Sequence, residues 1–204
     1  MGTNSRDDGN QSKKQDRRQR IIVVTDSNGK KLNAQQLKPG AEVGMKERFR
    51  LKQAIDQTPK VSNPQEIDDV VFQIGLNDFQ DCLNQEEIID KYFGMQMKYK
   101  KLFPNARQHV TAIPPLTNEH VAMNKGLQKL AQDLECNFIS AKPFQDHSTG
   151  KLRANLMKSD MYHYNDIGVR HLAKEIKKSL FSTANRKSEV LSQLMDMRAK
   201  NQQH

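Results

Sequence analysis

The chain has 204 residues, a length that suits one domain with a sizeable core, and a net charge of +9. With 35% apolar and 28% charged residues it is polar for a globular protein, which predicts disordered tails around a smaller folded unit. No apolar run reaches membrane-spanning length, and the N-terminus lacks the apolar stretch of a signal peptide. The two cysteines, Cys82 and Cys136, have neither metal nor redox spacing, so we expect a reducing intracellular, cytoplasmic setting.

Both ends of the chain are polar. Residues 1–20 carry six Lys or Arg against three Asp and no large apolar residue after Met1, which predicts a disordered basic leader. Residues 183–204 carry four Lys or Arg against two acids and are predicted to be a polar tail with a short helix. The folded domain is therefore expected over residues 21–182.

The first predicted strand contains four β-branched residues in a row, at positions 21–24, as in a parallel sheet buried on both faces. It ends in Asp26-Ser27-Asn28-Gly29, a run that favours turns and caps. In open α/β sheets the carboxyl end of such a strand is where ligands bind. Ser27 is therefore a candidate nucleophile.

Strands and helices alternate along the rest of the domain. The further predicted strands cover residues 41–45, 68–74, 108–113 and 137–140. The predicted helices cover residues 46–57, a long stretch capped by Asn84 and Glu87, a third capped by Thr117 or Asn118, and a last one opened by Asn165 or Asp166. This order predicts an α/β fold, a three-layer α/β/α sandwich with a parallel sheet.

A serine nucleophile needs a base, a carboxylate that orients the base, and donors for the oxyanion. His163 is the predicted base, since Asp160 precedes it by three residues and can hold one ring nitrogen. Asn77, in the turn Gly75-Leu76-Asn77-Asp78 after the strand at 68–74, offers an amide. Gly40, in Pro39-Gly40-Ala41, offers an unobstructed backbone N–H, as does Ser27 itself.

These residues resemble the four blocks of the SGNH (GDSL-type) hydrolase superfamily: Asp26-Ser27, Gly40, Gly75 to Asp78, and Asp160-Met161-Tyr162-His163. The resemblance spans about residues 20–182. It implies a flavodoxin-like sheet and esterase or acylhydrolase activity without a metal or cofactor. It also implies that Ser27, His163 and Asp160 are catalytic, and that Ser27, Gly40 and Asn77 form the oxyanion hole.

The chain departs from the family pattern in two places. Thr25 stands where the family has a glycine before Asp-Ser, and we expect the following Asn28-Gly29 to leave room for its side chain. The Gly40 block has little supporting sequence, and Gly44 is the alternative.

The leading hypothesis is a serine esterase acting on a small-molecule, carbohydrate or lipid ester, with an acetyl or short acyl group. Loops at residues 78–85, 114–118 and 141–159 are expected to line its pocket, and their sequences do not identify the substrate. The alternative is a non-catalytic binding module of the same fold whose basic tails contact nucleic acid weakly. Its general layout is similar to that of esterase-like domains encoded by LINE-type retrotransposons.

Overall fold

The computed structural model describes residues 17–81 and 84–182, and every structural statement below concerns this part of the chain. The predicted tail helix, residues 1–16 of the predicted leader, and Cys82 lie outside it. Strand β1 begins at Arg20, one residue before the predicted domain boundary.

The described chain folds into one parallel five-stranded sheet with helices between the strands, in the strand order β2-β1-β3-β4-β5. The strands are β1 Arg20–Thr25, β2 Glu42–Glu47, β3 Asp69–Gln73, β4 Arg107–Thr111 and β5 Asn137–Ile139. The helices are α1 Ala34–Leu37, α2 Leu51–Asp56, α3 Leu76–Gln80, α4 Gln85–Leu102, α5 Asn118–Asp133 and α6 at residues 166–182.

Alternate residues of β1 point to opposite faces of the sheet and enter two separate cores. Ile22 and Val24 join the core that α2, α4 and α5 cover. Ile21 and Val23 join the core under α1 and α6. Fully burying such a side chain stabilises the fold by about 1.5–3 kcal/mol. The predicted three-layer α/β/α sandwich with a parallel sheet is confirmed.

Strand β2 ends two residues later than predicted, and the following helix α2 begins later than predicted. Residues 46 and 47 continue β2, whose register with β1 runs through the pair Thr25 and Glu47. Helix α2 then starts only at Leu51. Phe49, which lies inside the predicted helix at residues 46–57, is instead 52% exposed in the loop between the two elements.

The predicted caps hold the ends of the longer helices. Asn84 and Glu87 form a reciprocal capping box at the start of α4. The Thr117 side chain accepts from the backbone of α5, and Asn165 Oδ1 accepts the N–H groups of residues 167 and 168 at the start of α6. Asn165 therefore fixes the direction in which the chain leaves the loop that carries His163.

Candidate active site

Ser27 lies in the turn that follows the carboxyl end of β1, and its two neighbours are buried while it is partly exposed. Asp26 Oδ1 accepts the N–H of Asn28 at 2.9 Å, which closes the turn from inside. Asn28 Oδ1 in turn accepts the N–H of Tyr164 at 2.8 Å. This contact joins the serine turn to the loop of His163, which is otherwise remote in sequence.

His163 faces the serine. Its Nε2 lies 3.1 Å from Ser27 Oγ, and its Nδ1 lies 2.8 Å from Asp160 Oδ2. Because the Asp160 carboxylate only accepts, it holds the proton on Nδ1 and leaves the Nε2 lone pair toward the serine hydroxyl. This is the order of contacts that a serine nucleophile needs.

Asp160 is held by its own loop. Its Oδ1 accepts the N–H groups of Tyr162 at 2.8 Å and His163 at 2.9 Å. These bonds to the charged carboxylate, together with the contact to the imidazole, hold the pKa of Asp160 well below its usual range. The carboxylate therefore stays ionised well into the acidic range.

Asn77 lies at the start of α3, just beyond the end of β3. Its Nδ2 donates to the carbonyl of Phe49 at 3.0 Å, which uses one of its two amide hydrogens. Gly75 precedes it with φ of 113°, and a Cβ at that position would lie 2.7 Å from the hydroxyl of Tyr92. The turn therefore requires glycine at position 75.

The structure does not bring Gly40 to this group. Gly40 lies in the turn that enters β2, because Glu42 pairs with Arg20 at the amino end of β1. Ser27 follows the opposite end of β1, five residues and about 16 Å further along the strand direction. The alternative, Gly44, lies within β2 beside Ile22. Neither glycine is placed to donate to an oxyanion at Ser27.

The loop that leaves β2, residues 48–50, and Leu51 at the start of α2 lie at the same edge of the sheet as Ser27. Three of the four backbone N–H groups of residues 48–51 have acceptors. Arg48 donates to the Thr25 carbonyl at 2.7 Å, Phe49 to Gln53 Oε1 at 2.7 Å, and Leu51 to the Asp78 carboxylate at 3.0 and 3.2 Å. Within the described residues, the N–H of Arg50 has no acceptor. Its guanidinium is held by Asp81.

Arg50 is not among the site residues predicted from the sequence, and no signal in the sequence marks it. A donor that belongs to the backbone can be carried by any residue except proline. Only the strand register, which places residues 48–51 beside the end of β1, identifies this loop. The N–H of Ser27 likewise has no acceptor within the described residues, so two backbone donors remain open at this edge.

Thr25 is accommodated by Gly29. The Thr25 hydroxyl donates to Gln73 Oε1 at 2.5 Å, and a Cβ on residue 29 would lie 1.8 Å from that hydroxyl oxygen. The room that the sequence predicted at Asn28-Gly29 is therefore present, and Thr25 fills it.

Asp26 is buried directly beside the serine. Burial raises its pKa from 3.8 to about 6, against the opposing effect of the Asn28 N–H that its carboxylate accepts. This carboxyl therefore titrates in the mildly acidic range, whereas the neighbouring Asp160 stays charged.

A second Ser–His–Asp set lies elsewhere in the sheet. His109 on β4 contacts Asp69 through Nε2 at 2.9 Å and Ser179 of α6 through Nδ1 at 2.8 Å. Arg107 also binds the Asp69 carboxylate through two nitrogens. The His109 side chain is 0% exposed, so this set fastens α6 to the sheet and offers no open imidazole to a substrate.

Two of the predicted loops line a cavity of about 500 Å³. Its walls come from residues 115–118, residues 149–152, Val121 at the start of α5, and Met161 in the His163 loop.

Among residues 17–81 and 84–182 no group of three or more His, Cys, Asp or Glu side chains is arranged to hold a metal ion. No helix in that part of the chain is long and apolar enough to cross a membrane.

No protein-family model and no curated protein sequence matches the chain. Solved structures do match its fold. A family 3 carbohydrate esterase from Clostridium thermocellum superposes with a TM-score of 0.68 at 15% identity, covering 83% of this chain and 98% of that one. The psychrotrophic esterase EstA from Pseudoalteromonas sp., in a structure inhibited by monoethylphosphonate, gives 0.60 at 14% identity, covering 81% and 98%.

A lipase/acylhydrolase from Enterococcus faecalis gives a TM-score of 0.63 at 13% identity, covering 78% of this chain and 94% of that one. These similarities define the fold as that of the GDSL/SGNH esterases. The resemblance inferred from the sequence is confirmed at the level of fold.

Proposed function

We propose that this protein is a serine esterase that cleaves an acetyl or other short acyl ester through an acyl-enzyme. The observation that carries the proposal is the series of contacts from Ser27 through His163 to Asp160, at 3.1 and 2.8 Å. It lies at the carboxyl edge of a parallel sheet, where this class of fold binds ligands.

In the first half of the reaction, Ser27 Oγ forms a bond to the ester carbonyl carbon while His163 Nε2 takes the hydroxyl proton. The carbonyl oxygen becomes an oxyanion. When the tetrahedral intermediate collapses, the carbon–oxygen bond to the alcohol breaks and His163 returns the proton to the leaving oxygen. Asp160 stabilises the imidazolium in between and stays ionised.

In the second half, water attacks the acyl-enzyme with His163 again taking a proton. Collapse of the second intermediate breaks the bond to Ser27 Oγ, and the serine regains its proton from His163. The products are a carboxylic acid and an alcohol, and the protein ends as it began.

We assign the oxyanion to three donors: the N–H of Ser27, the remaining amide hydrogen of Asn77, and the N–H of Arg50 in place of Gly40. The two backbone donors lack acceptors within the described residues, and Asn77 is tied to the carbonyl that precedes Arg50. Donors held in advance need no reorganisation as charge develops, and each is worth about 10²–10³ in turnover.

The structural neighbours support an ester as the substrate class, since they include a carbohydrate esterase, an esterase inhibited by monoethylphosphonate and a lipase/acylhydrolase. The test is hydrolysis of a p-nitrophenyl ester series from acetate to octanoate by the full chain, compared with Ser27→Ala. We expect turnover that is highest for acetate and lost in the variant. Equal rates in the two proteins would refute the proposal.

The alternative binding module receives less support from the described residues. Two cations of the predicted basic leader are paired with acids of the domain. Arg17 contacts Asp68 at 2.7 Å, and Arg20 contacts Glu66 and Glu42 at 3.1 and 3.3 Å. These charges are partly neutralised before any nucleic acid could bind, so the esterase remains our proposal.

A further inference from the structure

Tyr162 lies between the catalytic candidates of its own loop and the turn of Asn77. It follows Asp160 by two residues and immediately precedes His163. Its ring packs edge-on against the His163 imidazole, with centroids 5.2 Å apart and planes at 78°. The Tyr162 ring therefore limits, on one side, where the His163 imidazole can lie.

The hydroxyl of Tyr162 reaches across to α3. It donates to the carbonyl of Leu76 at 3.0 Å and lies 3.5 Å from Asn77 Oδ1. The opposite end of the Asn77 amide, Nδ2, donates to the Phe49 carbonyl. The two ends of the amide thus face different partners, which sets the direction in which its second hydrogen points.

We infer that Tyr162 is a positioning residue that couples the base to the proposed oxyanion hole, with its ring against His163 and its hydroxyl on the turn of Leu76 and Asn77. The inference rests on the proposed esterase function and adds a residue that the four family blocks do not assign. Tyr162 exchanges no proton with the substrate, and the burial that raises the pKa of its phenol keeps it neutral.

This role affects the transition state more than substrate binding. The Asn77 amide and the imidazole act on charge that develops only after attack begins. Loss of the hydroxyl removes the bond to the Leu76 carbonyl and the contact with Asn77 Oδ1, so the Asn77 turn is held less firmly, while the aromatic ring still packs on His163. The expected signature is a lower kcat with an unchanged KM.

The test compares the Tyr162→Phe variant with the unsubstituted protein in p-nitrophenyl acetate hydrolysis. We expect kcat to fall about 3- to 10-fold, as for loss of one hydrogen bond, with KM and the pH profile unchanged. The matched control is Tyr99→Phe, which also removes a tyrosine hydroxyl bonded to a backbone carbonyl, that of Ala54, within the core. It should leave kcat and KM unchanged.

Equal kcat in Tyr162→Phe and the full chain overturns the inference. So does a Tyr162→Phe protein that is unfolded at the assay temperature while Tyr99→Phe is folded, because Tyr162 would then serve stability alone. A full chain that neither hydrolyses the ester nor reacts with a fluorophosphonate at Ser27 instead refutes the proposed function. The two failures are thereby distinguished.

Discussion

The hydroxyl oxygen of Ser27 lies 3.1 Å from Nε2 of His163, although 136 residues of chain separate them. A second bond, from the N–H of Tyr164 to Asn28 Oδ1 at 2.8 Å, joins the residues next to each. The bond between the Tyr164 backbone and the Asn28 side chain thus ties the two loops together, which holds the imidazole beside the serine hydroxyl in advance of the reaction.

Asp160→Asn is expected to lower kcat by up to about 10⁴-fold, while the protein stays folded. An asparagine still accepts the N–H groups of Tyr162 and His163, but its amide favours the wrong imidazole tautomer. Asp146→Asn is the matched control, because Asp146 accepts the N–H groups of Ser148 and Thr149 while, within the described residues, its carboxylate forms no hydrogen bond to a histidine side chain. Steady-state kinetics on both variants checks this, and comparable losses would contradict the role of Asp160.

Asn77→Ala is expected to lower kcat about 10²–10³-fold with little change in KM, since it removes a donor used mainly in the transition state. The control is Asn105→Ala, in which an amide donating to the carbonyl of Gln65 at 3.0 Å is lost far from the site. If the kcat of Asn77→Ala stayed within twofold of the kcat of the unsubstituted protein, the assignment of Asn77 as an oxyanion donor would be wrong.

Gly29→Ala is expected to destabilise the fold by about 1–3 kcal/mol through overpacking against Thr25. In the double variant Thr25→Gly with Gly29→Ala, the Thr25 hydroxyl that would clash with the new Cβ is absent. Only the end of the Gln73 side chain must then move. Part of the stability should return. Chemical denaturation of the two single variants and the double variant measures this coupling, and additive losses would show that the two positions do not interact.

Asp26 should make stability depend on pH in the mildly acidic range. Its pKa is raised from 3.8 to about 6 on folding, so the folded state binds its proton more tightly than the unfolded state. The free energy of unfolding should therefore fall as pH rises from about 4 to about 6, by about 3 kcal/mol for this group. Above that range its contribution is constant.

Asp26→Asn removes this titration and keeps an acceptor for the Asn28 N–H. The free energy of unfolding of the variant should not show this decline between pH 4 and 6. At neutral pH it should be larger than that of the unsubstituted protein. Urea unfolding at several pH values measures both. A variant with the same pH dependence as the full chain would contradict the assignment to Asp26.

The residues of the candidate site that depend on side-chain chemistry could be proposed from the sequence. Ser27 follows a β-branched run, and His163 follows an aspartate at a spacing that allows contact, so both were candidates before the fold was known, and the structure places them in contact. The layers were predictable for a similar reason, because the strands and helices differ in hydrophobic period.

The proposed oxyanion donors were harder to predict because two of them belong to the backbone. Gly40 was predicted because it is a glycine, but its turn lies before β2, at the opposite edge of the sheet from Ser27. The loop of Arg50, which we propose instead, lies at the edge of Ser27 because β2 ends at Glu47, two residues later than the sequence suggested. Strand register, which depends on long-range pairing, decided this point.

The most direct test of the central claim is labelling with a fluorophosphonate probe, followed by identification of the modified residue by mass spectrometry. Ser179→Ala is the matched control, since Ser179 also hydrogen-bonds a histidine that contacts an aspartate. We predict that the full chain and Ser179→Ala are modified at Ser27 and that Ser27→Ala is not. Labelling that persists in Ser27→Ala, or that is absent from the full chain, would contradict the account.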